Sequence, residues 1–336
     1  MTALADLSIL DVGHGNCAIV RQNDIAVIID APAKPVVADA LDELGIKEIS
    51  ALLISHADSD HLSGAISLLM DGNRPVRSVY INPDPARKTK IWTEFRIAVR
   101  ASSKANSTAV HPALSTTTPG HIVVGSTQIK VLYPPPEVAL TGVGGTDLEG
   151  ARINANNMSA VILVEQEASP ICLLAADSDG VALQTMREAG VSLRAPLLVF
   201  PHHGGHPGSG NTRQFTKQLL DEVMPSIVLF SIGRGTHGTP RPEIVDEVKN
   251  HPSISPYIAC TQLSKRCCEH APAERNPTPR LSDGAKSNSC CAGTVTIPLN
   301  PLDISEFVRE LNNGHAKFIQ RDVTTPQCMV SRRITA

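Results

Sequence analysis

Aromatic residues make up only 3% of the 336-residue chain, with a single tryptophan, so Val, Ile, Leu and Ala must fill its interior. No stretch approaches the roughly 18 uninterrupted apolar residues that a membrane helix needs, so no membrane partner is expected. The N-terminus lacks a basic stretch followed by an apolar one, because Asp6, Asp11 and His14 interrupt it. No secretory leader is therefore expected, and the chain reads as cytoplasmic. A net charge of −3 gives no global attraction to nucleic acid or acidic membranes, which leaves only local patches for such contacts. Charged residues, at 19%, are too few for a disordered chain, and the 42% hydrophobic content supplies a packed core.

What the sequence does have is concentrated in residues 54–64. His56, Asp58, Asp60 and His61 place four potential metal ligands within six residues, and Gly64 closes the turn. Leu52, Leu53 and Ile54 before them read as a buried strand, and Leu62 to Met70 as a helix. A strand-to-helix loop can converge side chains on one point, whereas a strand alternates its faces. Imidazole with carboxylate suits divalent ions such as zinc or manganese.

Short strands are expected at 7–12, 17–21 and 25–30, with Asp30 ending the third, and a helix at 34–45. Residues 74–104 are rich in Arg and Lys, opposed within the segment only by Asp84 and Glu94. They read as a helical surface segment or as a phosphate-attracting rim beside the ligand loop. A hairpin at 122–132, a long Pro- and Gly-rich loop at 134–156, and strands at 158–164 and 171–176 follow. Helices are expected at 179–189, 213–223 and 242–250, alternating with strands at 197–200, 226–232 and 257–260; a last strand spans 293–299. Strands in meander style, then alternation with helices, occur twice, which implies an α/β architecture of two packed sheets with helices outside. The chain divides into a hydrolase-like domain over 1–300 and a C-terminal helix (303–313) and tail over 301–336. The first part carries a basic insertion at about 74–106 and a cysteine-rich insert at about 260–291.

Three strand ends offer ligands: His56/Asp58/Asp60/His61, then Asp177, then His202/His203. That is more than one tetrahedral ion takes. It suits two ions about 3.5–4 Å apart, with a lone carboxylate such as Asp177 bridging them. A dinuclear site of this kind makes hydroxide available as a nucleophile at neutral pH, which serves hydrolysis of phosphodiesters, esters or amides.

The order Asp30, His56-x-Asp58-x-Asp60-His61, Asp177, His202-His203-Gly204 resembles the metallo-β-lactamase fold superfamily, and more closely the hydrolase domain of the ComEC/Rec2 competence proteins. Leu10 to Asn16, Asn157-x-Ser159, Leu174-x-x-Asp177, and Ser231-Ile232-Gly233 with Pro240-Arg241-Pro242-Glu243 resemble further motifs of that group. The likeness runs from about residue 7 to 263. It implies a four-layer αββα fold and two divalent ions, zinc or manganese. His56 and Asp58 would hold one ion, Asp60, His61 and His203 the other, and Asp177 would bridge. Asp60 and His202 would be catalytic, with the roles of His202 and His203 exchangeable, and Asp30 would orient the ligand loop. In place of the superfamily's third His, which has no clear counterpart, Asn157 would serve as a neutral ligand or a hydrogen-bond donor to substrate; Lys88 and Lys90 of the basic segment are the expected contacts to nucleic acid. Asp58 departs from the superfamily's second His, and His14, Asn16 and His206 from other usual residues. His121 is expected at the surface.

Cys260, Cys267, Cys268, His270, Cys290 and Cys291 bracket the late insert. Four of them could form a structural zinc site that pins a loop lacking its own core; disulfides or free thiols are the alternative. The implied activity is phosphodiester hydrolysis by a metal-activated hydroxide, with DNA as the leading substrate. A small-molecule phosphodiesterase and a non-catalytic metal-binding module are the other two candidates.

Overall fold

A computed structural model describes residues 4–118, 122–208, 210–273, 281–300 and 302–329. His121 therefore lies outside the described residues. The first half runs β1 (Ala5–Ile9), β2 (Ala18–Gln22), β3 (Ile25–Ile29), α1 (Pro35–Glu43), β4 (Glu48–Ile54), α2 (Ser59–Leu62) and α3 (Ala65–Met70). It continues with β5 (Ser78–Ile81), α4 (Lys90–Asn106) and β6 (Ala109–His111). The second half has β7 (Ile122–Val124), β8 (Thr127–Tyr133), α5 (Pro136–Thr141), β9 (Val161–Gln166), β10 (Ser169–Leu174) and α6 (Gly180–Glu188). After them come β11 (Leu197–Val199), α7 (Thr212–Val223), β12 (Ile227–Phe230), α8 (Pro242–Lys249), β13 (Tyr257–Cys260), β14 (Val295–Pro298) and α9 (Ile304–Asp322).

The strands form two seven-stranded sheets, ordered β14-β1-β2-β3-β4-β5-β6 and β13-β12-β11-β10-β9-β8-β7. Both are mixed: β14 to β3 pair antiparallel and β3 to β6 parallel, while β7 to β10 pair antiparallel and β10 to β13 parallel. Alternating side chains sort residues into layers. Val27 and Ile29 of β3 meet Leu197 and Val199 of β11 between the sheets. Ala26 and Ile28 turn outward under α1, α3 and α4, and Val228 and Phe230 of β12 turn outward under α6, α7, α8 and α9. Two mixed sheets flanked by helices are thus the observed fold, as the sequence pattern implies.

Three local expectations change. Inside the basic segment, Val79, Tyr80 and Ile81 are buried in β5, which with β6 extends the first sheet; only 90–106 is helical. The segment 134–156 holds the short helix α5. α9 does not stop near 313, because His315, Ala316, Phe318 and Ile319 give its second half a buried face of its own.

Gly64 shows how the ligand loop is fitted to the sheet. Its N–H donates to the Ala31 carbonyl at 2.7 Å, and a Cβ there would lie 2.2 Å from the Pro32 carbonyl oxygen. The turn after α2 is therefore pressed against the end of β3 through bare backbone. Gly64→Ala should lower unfolding free energy by about 3 kcal/mol, whereas Gly72→Ala, where nothing lies within 4 Å, should not destabilise. Urea titration checks both; equal midpoints for the two variants would contradict the close apposition.

Candidate metal centre

The ligand-bearing residues sit beyond the C-terminal ends of parallel strands, where α/β sheets place their sites. β4 leads into His56, Asp58 at the N-cap of α2, and Asp60 and His61 in its first turn; β10 leads to Asp177, and β11 to His202 and His203. Asp30 (φ 59°), Ala176 (φ 45°), His202 (φ 52°) and His203 (φ 55°) all adopt left-handed backbone. Each costs of order 1–3 kcal/mol in a non-glycine residue, so the surrounding structure must enforce these turns.

Each inward histidine is held from behind. His61 Nδ1 donates to Asp30 Oδ2 at 2.7 Å, and the other Asp30 oxygen accepts from the Ser55 N–H at 2.7 Å. His203 Nδ1 donates to the Ser231 carbonyl at 2.8 Å. His56 Nδ1 is 3.1 Å from Ser55 Oγ and 3.2 Å from Ser159 Oγ, and that Ser159 hydroxyl also accepts from the Asp177 N–H at 3.1 Å. With Nδ1 engaged, Nε2 of all three rings points into the centre.

Two groups of ligand atoms each lie within 4.8 Å of one another: His56, His61 and Asp177, all buried, and His14, Asp60 and His203. Asp177 Oδ1 is 3.4 Å from His61 Nε2 and 3.6 Å from His203 Nε2, while its Oδ2 is 3.8 Å from His56 Nε2 and 3.6 Å from His202 Nδ1. Asp60 Oδ2 is 3.4 Å from both His14 Nε2 and His203 Nε2. Ligands at about 2.0–2.2 Å from one tetrahedral ion are about 3.4 Å apart, so these separations suit shared ions. The nitrogens His56 Nε2, His61 Nε2, His202 Nε2 and His203 Nε2, with Asp177 Oδ1, are buried without a hydrogen-bond partner. Orphaned polar atoms of this kind are costly unless a ligand satisfies them. The residues present fit divalent ions.

The charges lean the same way. Burial pushes the Asp177 carboxyl up, but the His61, His203 and His56 imidazoles around it hold it well below the usual carboxylate range. Asp60 is likewise held low against its burial, by His203 and His61. Burial lowers His61, yet Asp30 and Asp177 on its two sides carry it well above the ordinary value. Burial, with His203 beside it, pushes His14 down to about 4, and burial also lowers His202.

The other expected partners divide between the centre and its surroundings. Asp58 has one oxygen 3.7 Å from His56 Nε2, but the other is taken by the Arg87 guanidinium, which also reaches Asp84 at 2.7 Å. The Asn157 amide is spent on its own loop: Oδ1 accepts from the Asn154 N–H at 2.6 Å and Nδ2 donates to the Arg152 carbonyl at 3.2 Å. The basic segment is not opposed by Asp84 and Glu94 alone. Arg74 pairs with Asp42 and Asp71, and Arg77 with Glu48, acids brought in from other elements; Lys90 pairs with Glu94. Lys88 is exposed. Of the six late candidates, from which four were expected to form a site, three turn to other surroundings: Cys290 faces Asp11 at 3.6 Å, Cys268 accepts from Arg234 at 3.7 Å, and His270 is exposed. Sequence reasoning left out His14 as a partner of Asp60. The available signal was its position in the 10–16 stretch, where Gly15 is packed so closely that a Cβ would lie 2.5 Å from the Asp60 carbonyl oxygen.

Comparison with known proteins gives one family match. The family model of the metallo-beta-lactamase superfamily matches residues 10–142. No curated protein matches the sequence. Among solved structures the chain is similar to a CmlA beta-hydroxylase mutant, at 16% identity and a TM-score of 0.46, covering 76% of this chain and 52% of that one. The chain thus spans about half the length of that protein. It is also similar to the metallo-beta-lactamase fold protein YhfI from Bacillus subtilis, at 11% identity and a TM-score of 0.44, covering 76% of this chain and 96% of that one. A diphosphatase from the PhnP family shares 13% identity at a TM-score of 0.43, with 76% of this chain and 95% of that one covered. Two mixed sheets with helices outside give the chain the metallo-β-lactamase fold, and the stretch that matches that superfamily's family model, residues 10–142, includes the ligand loop at 56–61.

Proposed function

We propose that this protein is a dinuclear metal-dependent phosphodiesterase, with DNA as its leading substrate. The observation that carries the reading is the position of Asp177, whose Oδ1 faces both His61 and His203 while its Oδ2 faces His56 and His202. His56, His61 and Asp177 would hold one ion, and His14, Asp60 and His203 the other, with Asp177 between them. Bound there, divalent zinc or manganese ions supply Lewis acidity, polarising a phosphoryl oxygen and making water nucleophilic at neutral pH.

The chain's own residues do the rest. Asp30 and the Ser231 carbonyl fix the tautomers of His61 and His203, keeping their Nε2 lone pairs inward. Arg87 neutralises one oxygen of Asp58, leaving the other turned toward His56. His202 stands beside Asp177 with Nε2 buried and unpaired, placed to hydrogen-bond a phosphoryl oxygen or pass a proton to the leaving group. The competence-type motifs support nucleic acid as substrate, with Lys88 and Lys90 as contacts. The pairing of Arg74, Arg77 and Arg87 with acids favours a second reading, in which a small phosphodiester is the substrate.

Protein stripped with EDTA and reloaded with Mn²⁺ or Zn²⁺ should take up two ions per chain at the histidine–aspartate centre. Asp30→Asn should weaken that binding about 10–100-fold. His202→Ala should keep both ions but lose about 10²–10⁴ in turnover. Isothermal titration and elemental analysis read the first effect and steady-state kinetics the second; a His202→Ala enzyme with full turnover would remove that residue from the chemistry. Reloaded protein should also cut labelled single- or double-stranded DNA, with Asp177→Ala reduced to background. Lys88→Glu with Lys90→Glu should weaken DNA binding and flatten its salt dependence without changing hydrolysis of bis-p-nitrophenyl phosphate. DNA left intact while that small diester is hydrolysed would select the second reading.

A further inference from the structure

Three of the late thiols point away from the pattern their spacing suggests, and a fourth arrives from the C-terminus. Cys260 at the end of β13, Cys267, Cys291 and Cys328 line one cavity of about 20 Å³. A cavity of this size holds about one water or one ion. Much of the remaining wall is apolar, including Pro242, Val245, Ile258 and Ile319, with Ser264, Arg266 and Gln327 as its polar members, and a group of thiolates suits a soft ion.

Polar groups are arranged around the sulfurs. Cys260 and Cys291 hydrogen-bond to each other. Cys291 Sγ lies 3.0 Å from His315 Nε2, and His315 Nδ1 lies 2.6 Å from the Tyr257 hydroxyl. The backbone at Gln327 hydrogen-bonds to Cys267, and that at Cys260 to Cys291. Arg266 lines the cavity, and the Arg234 guanidinium is held nearby by the Leu263, Cys268 and Glu269 carbonyls, so positive charge stands beside the thiols. The segment after α9 is laid on the same spot: Thr325 N–H donates to the Cys267 carbonyl at 2.8 Å and Thr325 Oγ1 to the Arg266 carbonyl at 2.9 Å. Cys267 and Cys328 are only half-buried, which gives an entry path.

We propose that Cys260, Cys267, Cys291 and Cys328 form a second metal site, for one thiophilic ion such as zinc, that fastens the C-terminal segment to the edge of the second sheet. This goes beyond the hydrolytic centre and shares no residue with it. Among the described residues the thiols are not drawn into a group within 4.8 Å, as the histidine–aspartate groups are, so the ion must pull them inward from the cavity wall. Binding expels the thiol protons, and His315 is placed to accept the one from Cys291.

Cobalt substitution of the full chain separates the two centres, because only sulfur ligands give an intense thiolate-to-cobalt charge-transfer band in the near ultraviolet. One thiolate-bound cobalt per chain is expected. The band should survive Asp177→Ala, Cys268→Ser and Cys290→Ser, and should be lost in Cys260→Ser and Cys328→Ser. Circular dichroism verifies folding, and Cys328, near the end of the chain, is the variant least able to disturb it. Native protein should also release one zinc on titration with a mercurial. Absence of the band, its persistence in Cys328→Ser, or a mass showing a Cys260–Cys291 disulfide in metal-free protein would overturn the proposal.

Discussion

A buried carboxylate facing buried imidazoles governs this structure. Asp177 is surrounded by His56, His61, His202 and His203 at 3.4–3.8 Å, in a region where unpaired polar atoms are expensive. Everything nearby is arranged to hold that unfavourable grouping together. Asp30 and Ser231 grip the far sides of the rings, and Ser159 links His56 to the backbone of Asp177. Residues that avoid left-handed backbone are forced into it at Ala176, His202 and His203. Left-handed residues also occur in turns such as those at Asn23, Glu167 and Met224, but Asp30, Ala176, His202 and His203 stand together at the strand ends that carry the clustered side chains.

The fold was legible because period-two apolar strands and 3.6-period helices recur in the same order twice. Ligand types at strand ends were legible too, since His56, Asp60, His61, Asp177 and His203 converge in the structure. What stayed hidden depends on partners distant in sequence. The basic segment reads as uncompensated because Asp42, Glu48 and Asp58, which pair with its arginines, lie 29–32 residues away. β5 was hidden because its short apolar run lies inside that charged stretch. Asn157 could not be separated from a ligand by residue type alone; only the loop from Arg152 to Asn157 shows its amide already engaged. His14 was missed for the opposite reason, as a polar residue in a turn whose contact with Asp60 is made across the fold.

The cysteines follow the same rule. Spacing gathers Cys267 with Cys268 and Cys290 with Cys291, but neighbours in a strand or turn point in different directions. The structure separates each pair, sending Cys268 to Arg234 and Cys290 to Asp11, and recruits Cys328 from the far end of the chain to the remaining thiols.

The two sheets share one pairing plan, an antiparallel run continued by a parallel one, and each supplies part of both histidine–aspartate groups. His14, His56, Asp60 and His61 come from the first half of the chain, Asp177 and His203 from the second. Neither half owns a complete pocket. Ion occupancy and the docking of one sheet on the other are therefore thermodynamically linked: whatever free energy an ion gains by binding both halves is also free energy opposing their separation. An ion bound there would act as a rivet across the sandwich, and the metal-free protein should be looser at this seam than in the body of either sheet.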